Sequence, residues 1–84
     1  MAFYQILYWQ DIPSQVKARD DFDEVKLELA PRFAARIDQA AQSQGLTQTD
    51  DYLSQWQWSD EAEREGTAQA VAEAVKRELE TKFP

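Results

Sequence analysis

The sequence predicts an α+β fold: a two-layer sandwich in which two helices cover one face of an antiparallel-rich sheet, in the order β-β-β-α-β-α, with residues 1–84 forming a single domain. Three observations carry that prediction. Phe3-Tyr4-Gln5-Ile6-Leu7-Tyr8-Trp9 is a run of aromatic and branched residues interrupted only by Gln5. The two stretches that follow alternate apolar and polar residues with the period of a strand. Later, Phe33, Ile37, Ala40 and Ala41, and again Val71, Val75, Leu79 and Phe83, recur at helical spacing.

Phe3, Leu7 and Trp9 fall on one face of a period-two pattern and Tyr4, Ile6 and Tyr8 on the other, so the first strand belongs in a sheet interior. Gln10 to Ser14, with Pro13 and Asp11, is a reversal. Gln15 to Arg19 places Val16 and Ala18 on one face and Gln15, Lys17 and Arg19 on the other, the pattern of an antiparallel partner with one face in water. After the acidic turn Asp20 to Glu24, Val25, Leu27 and Leu29 alternate with Lys26 and Glu28 as a third strand, completing a meander. Pro31 suits a first helical turn, and Gly45 followed by Leu46 suits a left-handed cap, so a helix is expected from about 31 to about 44. Thr47 to Asp51 is a polar connection into Tyr52 to Trp58, which is read as a fourth strand with Tyr52, Ser54, Trp56 and Trp58 on one face. The competing reading of that segment is a short helix capped by Thr49, with Asp50 and Asp51 in its first turn. Ser59 to Gly66 is an acidic connection, and Thr67 is the N-cap of a second helix striped by Ala68, Val71, Val75, Leu79 and Phe83.

Composition then excludes whole classes of chemistry. The 84 residues include no Cys and no His, which removes thiolate nucleophiles, disulfides, Cys-ligated zinc or iron–sulfur sites and the commonest general base. No Gly-rich phosphate cradle, Walker lysine motif or nucleophile elbow occurs. The carboxylate pairs Asp20-Asp21, Asp50-Asp51 and Asp60-Glu61 lie in polar connections where turns and helix starts explain them, and Asp20 to Glu24 lacks the glycine of a calcium loop. No catalytic residue, metal ligand or cofactor is therefore assigned. Sixteen acidic against nine basic residues leave a net charge of −7, which opposes phosphate backbones and anionic lipid and suits a basic or neutral partner. The first apolar run is far shorter than the ~20 positions of a membrane span, and Met1-Ala2 lacks the basic start of a signal peptide, so the expected setting is the cytoplasm.

The sharpest feature is an excess of rings: three Trp, three Tyr and four Phe in a chain with one sheet and two helices. Aromatic anchors among polar residues mark protein interfaces. Two functions follow as expectations. In the first, the chain is a non-enzymatic interaction module whose sheet face or edge, bearing Trp9, Trp56 and Trp58 with Gln15, Lys17 and Arg19 beside them, docks a larger protein or a second copy of itself. In the second, the rings line a pocket for a flat or apolar small molecule whose polar end is fixed by Tyr8, Asp11 or Arg19.

The stretch from Tyr4 to Arg19 also resembles the start of a small bacterial family, the virulence factor domain, common as a stand-alone protein in cyanobacteria and other bacteria. The likeness continues through Arg32-Phe33, Ile37-Asp38, Gly45-Leu46, Asp50, Tyr52, Trp56, Trp58 and Arg64 to Gly66. The family name is similar to that of a longer conserved virulence protein, in which such a domain accompanies a NifU-like domain and helical repeats. The resemblance implies an adaptor role near iron–sulfur or metal-protein maturation and implies no catalytic residues. Neither accompanying domain occurs in this sequence, and without Cys the chain itself offers no thiolate to a cluster.

Overall fold

The structure, a computed structural model, describes residues 1–46 and 50–83. Its elements are β1 (Ala2–Trp9), β2 (Ile12–Arg19), β3 (Glu24–Glu28), α1 (Pro31–Ser43), α2 (Asp50–Ser54), β4 (Trp56–Trp58), β5 (Ala62–Arg64) and α3 (Ala68–Lys82). All strand pairs are antiparallel, in the order β3-β2-β1-β4, and β5 pairs with β1 farther along the edge that β4 occupies. The expected α+β class, the central first strand and the meander are all present.

Three local expectations are corrected. The first reversal is only Gln10-Asp11: Gln10 adopts φ 55°, and Pro13 lies within β2. Pro13 is accommodated because the register shifts there, with Leu7 opposite Gln15 but Tyr8 opposite Pro13, so that Ser14 is the extra residue of a bulge. Residues 52–58 are not one strand. Asp50 to Ser54 is helical, with both aspartates in its first turn, and only Trp56 to Trp58 is extended, so Tyr52 does not share a strand face with Trp56 and Trp58. The Thr49 cap and most of the polar connection before it lie outside the described residues. The acidic connection after Trp58 contains a fifth strand, which makes the order β-β-β-α-α-β-β-α.

That fifth strand has a physical explanation in Ser59. Leu7 lies opposite Trp58 whereas Tyr4 lies opposite Ala62, so three residues of the outer strand span two of β1. Ser59 bridges the gap: its N–H donates to the Ile6 carbonyl at 2.8 Å and its Oγ accepts from the Ile6 N–H at 2.9 Å. A hydroxyl has thus replaced a backbone carbonyl in the ladder. The insertion also reverses the parity of the outer strand. Trp58, across from Leu7, lies on the face away from the helices, whereas Arg64 turns to the helix side and pairs with Glu78 of α3 at 2.6 Å.

α3 lies across β1, β2 and β3 and buries Val71, Ala72, Val75 and Leu79 against Ala2, Val16 and Ala18, with Tyr4, Ile6, Val25 and Leu27 partly buried around them. Its start is doubly capped. The Thr67 side chain accepts from the Ala70 N–H at 3.1 Å, and Asp20 Oδ2 accepts from the Ala68 N–H at 2.8 Å. α1 joins the same core through Phe33 and then builds a second cluster with Ile37 and Ala41 around Trp9. It ends as expected at Gly45, φ 69°: the Leu46 N–H bonds to Ala41 and the Gly45 N–H to Gln42, the paired bonds of a Schellman cap. Leu46 packs on the second cluster.

Candidate functional site

Both long helices contribute to the core built on Tyr4, Ile6, Val16 and Ala18, so the alternate residues Phe3, Gln5 and Leu7 of β1 and Gln15, Lys17 and Arg19 of β2 face away from it. Trp9, of the same alternation, is instead covered at the strand end by Ile37 and Ala41 of α1. Register defines what this open face carries. Phe3 lies opposite Arg19, Gln5 opposite Lys17 and Leu7 opposite Gln15; on the next strand Arg19 faces Glu24, Lys17 faces Lys26 and Gln15 faces Glu28. On the far side of β1, Trp58 stands opposite Leu7 and Glu63 opposite Phe3. The result is a central apolar row, Phe3 and Leu7 with Trp58, bordered by cations on one side and carboxylates on the other.

The cations lean over the rings. Lys17 Nζ lies 4.6 Å from the centre of the Trp58 ring, and the Arg19 guanidinium carbon lies 4.9 Å from that of Phe3. Arg19 also reaches across β1 to Glu61 with two hydrogen bonds, Nε to Oε2 at 3.1 Å and Nη2 to Oε1 at 2.9 Å. That fork fixes the guanidinium in one plane over Phe3. The Glu61 hydrogen bond and charge raise the Arg19 pKa, which favours a guanidinium that is charged in any case. Trp58 remains 40% exposed, making it the largest apolar side chain open to solvent on this face.

Of the residues singled out in the sequence, Gln15, Lys17, Arg19 and Trp58 are brought together on this face. The others lie apart. Trp9 has no exposed surface, because Ile37 and Ala41 enclose it and its indole N–H donates to the Tyr52 carbonyl at 3.0 Å; it is a core residue and not a contact residue. Trp56 is half-buried against the same cluster, edge-on to Tyr52. Tyr8 is half-buried at the end of β1, where burial, followed by the proximity of Tyr4, pushes its phenol pKa up. Asp11 is exposed in the hairpin turn. The expected trio of tryptophans therefore separates into one core ring, one half-buried ring and one exposed ring.

Phe3, Leu7 and Glu61 complete the face although the sequence marks Phe3 and Leu7 only as core. The signal that finds them is the alternation of β1 combined with the register of β2. Neither their composition nor any motif would do so. The side chains of Phe3, Gln5, Lys17, Arg19, Glu24 and Glu61 enclose a hollow of about 80 Å³. No group of three or more His, Cys, Asp or Glu that could hold a metal ion occurs among the described residues.

An antiparallel sheet with helices on one side and an aromatic, charge-bordered surface on the other belongs to the class of open-faced α+β sandwiches. The chain is a member of the Virulence factor family, whose model matches residues 7–84. No curated protein and no solved structure matches it.

Proposed function

We propose that the chain is a non-enzymatic docking module that binds a larger protein through the open face of its sheet, as an accessory or adaptor subunit in the bacterial cytoplasm. The observation that carries this reading is Trp58, held 40% exposed beside Leu7 under the Lys17 ammonium. A ring in that state already has part of its cost of ordering met, since its neighbours limit its rotamers before any partner arrives. Lys17, Arg19 and Glu61 supply polar contacts around it, the usual surround of an aromatic hot spot. The net charge of −7 favours a protein with neutral or basic complementary surface over nucleic acid. No helix among the described residues is long and apolar enough to cross a membrane. The small-molecule alternative gains nothing from this face, whose hollow of about 80 Å³ is well below the ~300 Å³ at which ligand pockets begin.

Photo-crosslinking tests the reading. A benzophenone side chain placed at Trp58, and as a control at exposed Gln39 on α1, should give one dominant adduct from the sheet face and none from the helix. Equal labelling from both positions, or none from Trp58, would exclude the open face as the docking surface.

A further inference from the structure

We propose that β3 pairs along its free edge with β3 of a second copy, giving a two-fold dimer with one continuous antiparallel sheet. The inference concerns the edge of the sheet and does not depend on the open-face reading. β3 is the terminal strand of the sheet order. The Leu29 N–H donates to Ser14 and the Asp20 N–H to the Asp23 carbonyl, so by alternation Val25 and Leu27 bond inward to β2. The N–H and C=O groups of Glu24, Lys26 and Glu28 therefore point away from the sheet, three evenly spaced donor and acceptor pairs ready for another strand.

Side-chain charge selects the register and the occupant. An antiparallel copy centred on Lys26 would set Lys26 against itself and Glu24 against Glu28. A copy centred on Leu27 instead sets each Lys26 beside Glu28 of the second copy, Leu27 beside Leu27 and Val25 beside Leu29, with the apolar pairs on the helix side. Within one chain, by contrast, Lys26 is directly opposite Lys17, a like-charge pair that disfavours the isolated sheet. The favourable neighbour of Lys26 lies across the edge.

The ends of the strand agree. Any two-fold antiparallel pairing brings the β2–β3 turn of one copy to the β3–α1 junction of the other. That turn carries Phe22, 91% exposed, held in place by Asp20 Oδ1, which accepts from the Phe22 N–H at 2.8 Å and the Asp23 N–H at 2.7 Å. The junction holds a hollow of about 300 Å³ lined by Leu29, Pro31, Phe33 and Ala34 with Ser14 and Glu28. An exposed ring at one end of β3 and a largely apolar hollow at the other are what a self-complementary edge requires.

Sedimentation velocity on the full chain over a concentration series tests this. The wild type should reach twice the 9.7 kDa chain mass. Lys26→Glu and Glu28→Lys should each weaken dimerisation by about tenfold or more, and the double variant should restore it, because two like pairs again become two opposite pairs. Phe22→Ala should weaken the dimer with no loss of monomer melting temperature. Circular dichroism separates loss of pairing from loss of fold, and the two single variants check each other. A wild type that stays at single-chain mass at its highest soluble concentration overturns the proposal. So does a dimer that survives both single charge changes, or single variants that the double change fails to rescue.

Discussion

Trp9 and Trp58 show how two like residues on neighbouring strands take opposite roles. Trp9 is enclosed and hydrogen-bonded, so Trp9→Ala removes both packing and a partner for the Tyr52 carbonyl and should cost about 3–5 kcal/mol of unfolding free energy in urea. Trp58→Ala removes a half-open ring and a cation–π contact of about 0.5–1 kcal/mol, and should leave a folded chain. Asp20 is a residue whose protonation bears on the fold. Its carboxylate accepts from Ala68, Phe22 and Asp23 N–H groups, which hold its pKa below the ordinary carboxylate value. A lowered folded-state pKa contributes stability that is present above about pH 4 and is lost as pH falls through the folded value. Asp20→Asn should therefore lower the melting temperature at pH 7, and its deficit relative to wild type should shrink in buffers at successively lower pH.

At the scale of elements, the sequence is most legible where one physical cause acts alone. The α1 cap follows from Gly45 and Leu46 because only a left-handed residue closes that turn. Gly45→Ala meets no atom within 4 Å and should cost only the backbone strain, about 1 kcal/mol. The α3 start was equally readable from Thr67, whose replacement by Ala should cost about 1 kcal/mol, reduced by the Asp20 bond that caps the neighbouring N–H. The outer strand was not readable. Ser59-Asp60-Glu61 has the composition of a loop, and the hydroxyl of Ser59 joins the ladder only because β1 is there to pair with. Tyr52 to Trp58 likewise alternates as a strand would, but Asp50 and Asp51 favour a helical turn at its start, and the Trp9 N–H bond to the Tyr52 carbonyl ties that turn to the hairpin tip. Ser59→Ala should open this edge: faster amide exchange at Ile6 than at Val16 would register it, whereas equal protection at both would deny Ser59 its bridging role.

Across the whole molecule, the sheet separates stability from recognition. One face of the sheet holds α3 and the larger apolar cluster, α1 closes the second cluster over Trp9 at the end of β1, and the open part of the other face holds a short row of rings bordered by its own cations and carboxylates. The sequence disclosed the ring excess but not its partition, since burial of Trp9 depends on Ile37 and Ala41, more than twenty-five residues away along the chain. It places Lys17 and Arg19 beside the aromatic first strand, where Arg19 stacks on Phe3, but does not disclose that Lys17 covers Trp58, because that ring comes from an outer strand distant in sequence. The measurement that bears most directly on the docking face is native mass spectrometry of the protein and its Trp58→Ala variant, each isolated gently from their own cells. A discrete species containing a second, larger protein in the wild type, absent from the variant while any homodimer persists, is the expected result. Identical spectra for the two proteins, whether bare chain, homodimer or the same larger complex, would contradict the assignment of the open face.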